Sequence, residues 1–265
     1  IMAENQYNVT LSNVDITTPD GSGLYVDKAI YMLNCVDVTL DCITINGTYS
    51  LPKRFGYGVS LDNIYNLQVK NMYARANWGV FGNNNIHKAM LQNCDINRFD
   101  VHCYGKDVSF EKCTFVDFYN QFSSIYGLIS FKHCTFTRFT PVLIEGTYNA
   151  HTGFDIVFED CTFNLDKDHT SIFSIFGMSK KENSRPELKE SCLPNISMLE
   201  CRVNVPDGVE KWCIYNTSKM NGYEGAFSYI SKVIVKRLST NAKPETMNVF
   251  SKYVNTKNEV RIVIA

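Results

Sequence analysis

The segment RFDVHCYGKD, residues 98–107, gathers an unusual set of groups: Arg98, Asp100, His102, Tyr104 and Asp107. On an extended backbone successive side chains point to opposite faces, so Asp100, His102 and Tyr104 share one face. That brings a carboxylate, an imidazole and a phenol together, with Arg98 alongside. Imidazole is a common general acid or base near neutral pH. With Glu145 as a second carboxylate, the set could hydrolyse a glycosidic bond. Alternatively, His102 could remove a proton alpha to a uronate carboxylate while Arg98 stabilises the enolate. Asp100, His102 and Glu145 are therefore the catalytic candidates. A second grouping, Glu145 with His151 and Asp155, spans GTYNAHTGFD. A structural alternative stands beside both, because Arg98, Asp117 and Arg138 occupy equivalent places in NRF, VDF and TRF and predict a stack of ion pairs.

These residues need a scaffold, and a repeat supplies it. VSFEKCTFVDF (108–118), ISFKHCTFTRF (129–139) and IVFEDCTFNL (156–165) write one phrase three times. Weaker copies extend it in both directions, giving a column Val14, Ile43, Met72, Cys94, Cys113, Cys134, Cys161, Cys201, Leu238. The steps are 29, 29, 22, 19, 21, 27, 40 and 37 residues. A second strand precedes most copies and ends in Gly or Asn: NWGVFG, DVHCYG, SSIYG, PVLIEG, SIFSIFG and KWCIYN. No segment sustains a 3.6-residue period, so helix is excluded. The same two short strands in the same order, with insertions confined to one junction, predict a solenoid.

In the Gly-ended strands one parity is apolar and core-facing, through Val80, Cys103, Ile125, Ile144, Ile175 and Ile214. The other parity predicts an outward column of Phe81, Tyr104, Tyr126, Glu145, Phe176 and Tyr215. Exposed aromatics in a row commonly mark an interaction site, and here they suit the apolar faces and hydroxyl rims of sugars. Phe81, Arg98, Tyr104, Tyr126, His151, Asp155, Phe176 and Tyr215 are the substrate-binding candidates. Packing beneath loops or against a neighbouring chain is the alternative use of the same rings. The long segments 146–155, 178–195 and 217–232 leave from one junction and are expected to form a rim on one side.

With these ladders and turns, the chain resembles the right-handed parallel β-helix of the pectin-lyase-like superfamily, as in polysaccharide-active enzymes and phage tailspikes. The resemblance runs from about Tyr7 to Leu238 or beyond and carries no particular family with it. It implies an all-β, single-stranded, right-handed parallel β-helix of about nine coils, forming one domain over 1–265 that could itself be a piece of a longer chain. It also implies a polysaccharide-binding or polysaccharide-degrading protein, of glycoside hydrolase or lyase type. The alternative is a non-catalytic structural or glycan-binding module of a cell-surface or tailspike assembly. An extracellular, cell-surface or virion-associated setting follows, with a homo-oligomer as partner, a trimer if tailspike-like. The acidic calcium site of pectate lyases has no counterpart, so neither metal nor cofactor is expected.

Composition narrows the partners. Across 265 residues, 26 Lys+Arg balance 27 Asp+Glu for a net charge of −1, leaving no basic excess for nucleic acid. No apolar run approaches the roughly 20 residues of a membrane span. Five of the 10 cysteines share the column occupied by Val, Ile, Met and Leu. That position is dry, and buried free thiols are expected there. His87, His133 and His169 read as surface residues.

Overall fold

The computed structural model describes residues 1–17, 28–48, 57–76, 79–102, 104–117, 119–122, 125–138, 140–144, 153–175, 195–216, 232–243, 246–250 and 261–264. Among these residues there is no α-helix, and every strand pairing is parallel. The chain is a right-handed parallel β-helix. Nineteen of the described strands form one continuous sheet that wraps around the coil, and five form a second. The three long segments expected to form a rim lie almost wholly outside the described residues.

The repeat stacks in its predicted order. Val14 sits beside Ile43. The residues that follow each column member then pair rung by rung: Thr44 with Tyr73, Tyr73 with Asp95, Asp95 with Thr114, Thr114 with Thr135, Thr135 with Thr162, Thr162 with Arg202, and Arg202 with Ser239. Ile43, Met72 and all five cysteines of the column are buried. The two Phe residues of each phrase build parallel stacks on either side of them. Phe110, Phe131 and Phe158 lie 4.7 and 4.9 Å apart at interplanar angles of 5° and 4°. Phe115, Phe136 and Phe163 are spaced at 5.0 and 5.1 Å. The two stacks meet edge to face, as at Phe131 and Phe136, 5.4 Å apart, which is the arrangement the ring quadrupole favours. Each such ring contributes about 1.5–3 kcal/mol by leaving water.

The corner before each column residue has one backbone solution throughout. Asn13, Cys42, Asn71, Asn93, Lys112, His133, Asp160, Glu200 and Arg237 all adopt φ between 48° and 56°. A left-handed L-residue costs roughly 1–2 kcal/mol, but the corner loses no hydrogen bond. The amides of Asn71, Asn93, Lys112, His133, Asp160 and Glu200 each donate to the next coil at 2.9–3.0 Å. A second left-handed column, Asn5, Asn34, Asn63 and Asn85, turns its side chains into a ladder with amide-to-carbonyl bonds of 2.9, 2.9 and 2.7 Å.

The expected alignment of the Gly-ended strands needs correction. Tyr119–Gln121, Thr140–Ile144, Ser171–Ile175, Trp212–Asn216 and Met247–Phe250 form the five-stranded sheet. Ile144 pairs with Ile175 as predicted. However, Ile125 and Tyr126 open the strand Ile125–Lys132, which belongs to the larger sheet and pairs with Gly105 and Lys106. SSIYG therefore starts a strand of the larger sheet, where the repeat pattern places the end of a strand in the smaller one.

Cys94, Cys113, Cys134, Cys161 and Cys201 are each at most 1 % exposed. Hydrogen bonding to Cys113 and then burial push the Cys94 thiol up. Burial, followed by bonds to Cys113 and Cys161, does the same to Cys134. Cys42 is exposed at its left-handed corner, its thiol raised by a hydrogen bond to Asp41. Alkylation of the native chain followed by peptide mapping is therefore expected to modify Cys42 and leave the five column thiols unlabelled until denaturant is added. Rapid native labelling of Cys134 would contradict the dry column.

Candidate functional site

Two groups of candidate side chains lie on adjoining faces, separated by the corner at Asn63 and Asn85. The first is an outward stack of rings across four coils. Tyr65, 52 % exposed, stacks on His87 at 4.9 Å and 14°. His87 stacks on Tyr104 at 6.2 Å and 23°, and Tyr104 packs on Tyr126 at 5.3 Å and 35°. Register sets the first contact, since Tyr65 pairs with His87; Lys106 is the backbone partner of both His87 and Tyr126, and the Tyr104 ring joins the stack from two positions earlier.

Next to this stack runs a groove of about 510 Å³. Gln68, Met90, Ser109 and Ser130 line it, one per coil, with Lys88, Asp107 and Leu128 along the edge shared with the rings. An extra residue at Gly127 and Leu128 shifts the register there. Asp107 Oδ1 accepts the Leu128 amide at 3.1 Å. A Cβ on Gly127 would fall against that same oxygen, and its φ of +77° is one that glycine adopts without strain. Asp155 continues the edge, since Leu128 pairs with Asp155, whose Oδ1 accepts the Asn195 side-chain amide at 2.9 Å.

The second group centres on Asp100. Arg98 Nε donates to Asp100 Oδ1 at 2.7 Å, and both side chains are fully buried. The Tyr57 hydroxyl donates to Asp100 Oδ2 at 2.8 Å and lies 3.2 Å from His102 Nε2. His102 Nε2 is 3.6 Å from the same carboxylate oxygen, and its side chain is 16 % exposed. Two glycines make room for the cluster. A Cβ on Gly79 would meet the Arg98 side chain at 2.8 Å, and one on Gly82 would meet the Tyr57 ring at 2.5 Å. On the neighbouring column Asn84 Nδ2 donates to Asp62 Oδ1 at 2.6 Å.

Several predicted site residues move. Phe81 is a correction: it is fully buried, pairs with Val59 and Phe99, and packs on Phe99 at 5.2 Å. Both parities of Gly79–Asn83 are buried, so alternation could not assign its outer face. Arg98 is drawn inward to Asp100, and the expected ion-pair stack is reduced to Arg138 with Asp117. Asp100 is shut away from solvent, placed to hold Tyr57 and His102 in position. Tyr104 and Tyr126 do stack outward, but their neighbours are His87 and Tyr65, which lie outside the Gly-ended strands of the repeat. The backbone at Tyr215 pairs with Phe173 in the five-stranded sheet, away from Tyr126. Glu145, His151 and Phe176 lie outside the described residues. Among those residues no group of three or more His, Cys, Asp or Glu could hold a metal ion, and no helix is long and apolar enough to cross a membrane.

No protein-family model matches the sequence, and no curated protein sequence does. Solved structures do match in fold. The tailspike protein gp49 from Pseudomonas phage LKA1 superimposes with a TM-score of 0.64 at 14% identity, over 100% of this chain and 45% of that one. The tailspike gp61 of Pseudomonas phage phi297 gives 0.66 at 12% identity, over 96% and 44%. The catalytic domain of a GH87 alpha-1,3-glucanase gives 0.59 at 11% identity, over 99% and 49%. What these share with the chain is the coil. The chain spans about half the length of each of these structures or a little less.

Proposed function

We propose that this β-helix binds a polysaccharide along the face carrying Tyr65, His87, Tyr104 and Tyr126, with the adjoining groove as its bed. The stack is the observation that carries the reading. Four rings from four coils, half-buried or exposed, run parallel to a groove that is long, shallow and lined by small or amphipathic side chains. An extended polymer fits such a strip better than a compact ligand, which would prefer an enclosed pocket. The likeness in fold to two tailspikes and a glucanase agrees with a glycan ligand by analogy of scaffold only. It also agrees with a virion-associated or extracellular setting and a homo-oligomeric assembly.

Between the two functional alternatives, the site favours a glycan-binding module over a glycosidase or lyase working through Asp100. A carboxylate sealed against Arg98 cannot reach a glycosidic oxygen. If the chain also cleaves its ligand, the proton-transfer group is His102 on the adjoining face, with Tyr57 and Asp100 as positioning residues behind it.

Affinity electrophoresis against a panel of soluble polysaccharides tests the reading. Tyr104→Ala and Tyr126→Ala are expected to weaken binding roughly tenfold each, about 1.4 kcal/mol, as interface aromatics do. Tyr7→Ala, an exposed ring on the first coil, should bind like the parent. Melting curves confirm that each variant is folded. Should no polysaccharide retard the parent chain, or should the ring variants bind unchanged, the proposal is wrong. Reducing ends and unsaturated products, measured on the same mixtures with His102→Gln as control, report any cleavage.

A further inference from the structure

The floor of the groove carries no charge. Gln68, Met90, Ser109 and Ser130 stand on successive rungs, each the backbone partner of the next. Along the edge the charges offset one another, Lys88 and Lys106 against Asp107 and Asp155. Two of the lining side chains are apolar and open to solvent. Met90 is partly exposed on the floor, and Leu128 on the edge is 42 % exposed. A bulge holds Leu128 there. Gly127 and Leu128 together face Asp107 alone, because Tyr126 pairs with Lys106 and Ile129 with Val108. Such two-against-one insertions re-aim a side chain, and the bond from the Leu128 amide to Asp107 fixes this one. The polar groups of the floor are open to a ligand. Ser109 Oγ donates to the Ala89 carbonyl at 3.3 Å, which leaves its lone pairs to accept. Among the described residues neither Gln68 nor Ser130 hydrogen-bonds through its side chain.

From these features we infer that the strip takes an uncharged, extended polymer of acetamido sugars, with Met90 and Leu128 receiving acetyl methyls. The inference rests on the proposed glycan-binding reading and specifies its substrate class. An acetamido group joins a methyl to one amide donor and one acceptor. The groove offers the complement: apolar side chains for the methyl, the Ser109 oxygen for the N–H, and the Gln68 amide and Ser130 hydroxyl for carbonyl oxygens. A few polar groups set among apolar ones are how ligand grooves fix orientation. The spacing agrees. Rungs lie about 4.7–4.9 Å apart, close to the advance per unit of an extended β-1,4-linked chain. Successive units of such a chain face opposite ways, so acetamido groups on one side recur every second unit. Met90 and Leu128 stand two rungs apart.

The test titrates chitotetraose and cellotetraose into the parent chain and into the Met90→Ser/Leu128→Ser double variant. The two probes share their linkage and differ only in carrying an acetamido group or a hydroxyl at C2. Both substituted side chains face outward, so the variant should melt with the parent. Chitotetraose is expected to bind the parent at least about tenfold more tightly than cellotetraose, as methyl-sized differences in an apolar site do. Its affinity should not change with salt, since no ion pair is screened. The double variant should lose about tenfold for chitotetraose and bind cellotetraose as the parent does. Equal binding of the two probes, no binding of chitotetraose, or a chitotetraose affinity that the double variant leaves unchanged overturns the acetamido class. In each of those cases the glycan-binding reading stands if some polysaccharide retards the parent and Tyr104→Ala weakens it. A failure of every polysaccharide overturns both readings.

Discussion

An Asp100→Ala chain is expected to lose roughly 3–5 kcal/mol of stability, because removing one partner leaves a buried guanidinium without its counter-charge. Arg98 and Asp100 are both fully buried, and Arg98 fills the space that Gly79 leaves by lacking a Cβ. Urea denaturation reads the loss as a lower midpoint. A double variant, Arg98→Met/Asp100→Leu, removes both charges together and should retain most of the parent's stability, since well-packed apolar pairs often replace buried ion pairs at little cost. Tyr57→Phe in the parent background takes away one hydroxyl and is expected to cost about 1–2 kcal/mol. The order Asp100→Ala, then Tyr57→Phe, then the double variant, from most to least destabilised, is the signature of a charge-centred cluster. An Asp100→Ala midpoint equal to the parent's would show that the cluster is not closed in solution.

The other large effect belongs to Phe131. It is buried between parallel rings at 4.7 and 4.9 Å and touches Phe115 and Phe136 at 5.9 and 5.4 Å. Phe131→Ala removes the middle ring of one stack, where it also packs edge to face on the other, and leaves a cavity that stacked strands cannot close. The expected loss is about 3–5 kcal/mol. A double-mutant cycle with Phe110 should add a coupling of about 0.5–1.5 kcal/mol beyond the lost area. If Phe131→Ala costs under about 1 kcal/mol in the urea transition, the paired Phe columns do not carry the core.

The core columns are legible in the sequence. The Cys–Thr–Phe phrase pairs a dry position with two apolar flanks, and a one-residue slip would send all of them to solvent. Its register therefore follows from polarity alone. The Gly-ended strands lack that safeguard. Around Gly79–Asn83 both faces are buried, because Tyr57 and Arg98 cover the outer one. With no polar parity to mark the outside, Phe81 reads as exposed when it is core. Gly82 likewise reads as a turn residue, whereas its lack of a Cβ makes room for Tyr57, which lies 43 positions before Asp100 and shares no motif with it. Tyr65 and His87 do leave a signal. DNIYNLQVKN and NNIHKAMLQN align on Asn63 and Asn85, and a residue that takes left-handed φ easily is itself a corner marker. Alignment on those asparagines places Tyr65 beside His87, with Lys106 next in the column and Tyr104 at the corner position itself.

The uniform corner also governs how such a chain can change its length. Among the described residues each coil re-enters its column through one left-handed residue followed by one buried or partly buried residue, so the join between coils has the same shape wherever it falls. Excising residues 114–134 would connect Cys113 to Thr135, reproducing the Cys–Thr–Phe sequence that stood there before. The shortened chain would keep each core and corner column in phase while dropping one ring from the Tyr65–Tyr126 stack. A smaller loss would have to fall in the turns between the columns, whose length already varies, since the coils run from 19 to 40 residues. Extent along the helix axis thus changes in whole coils, and the reach of the ring stack by one ring at a time.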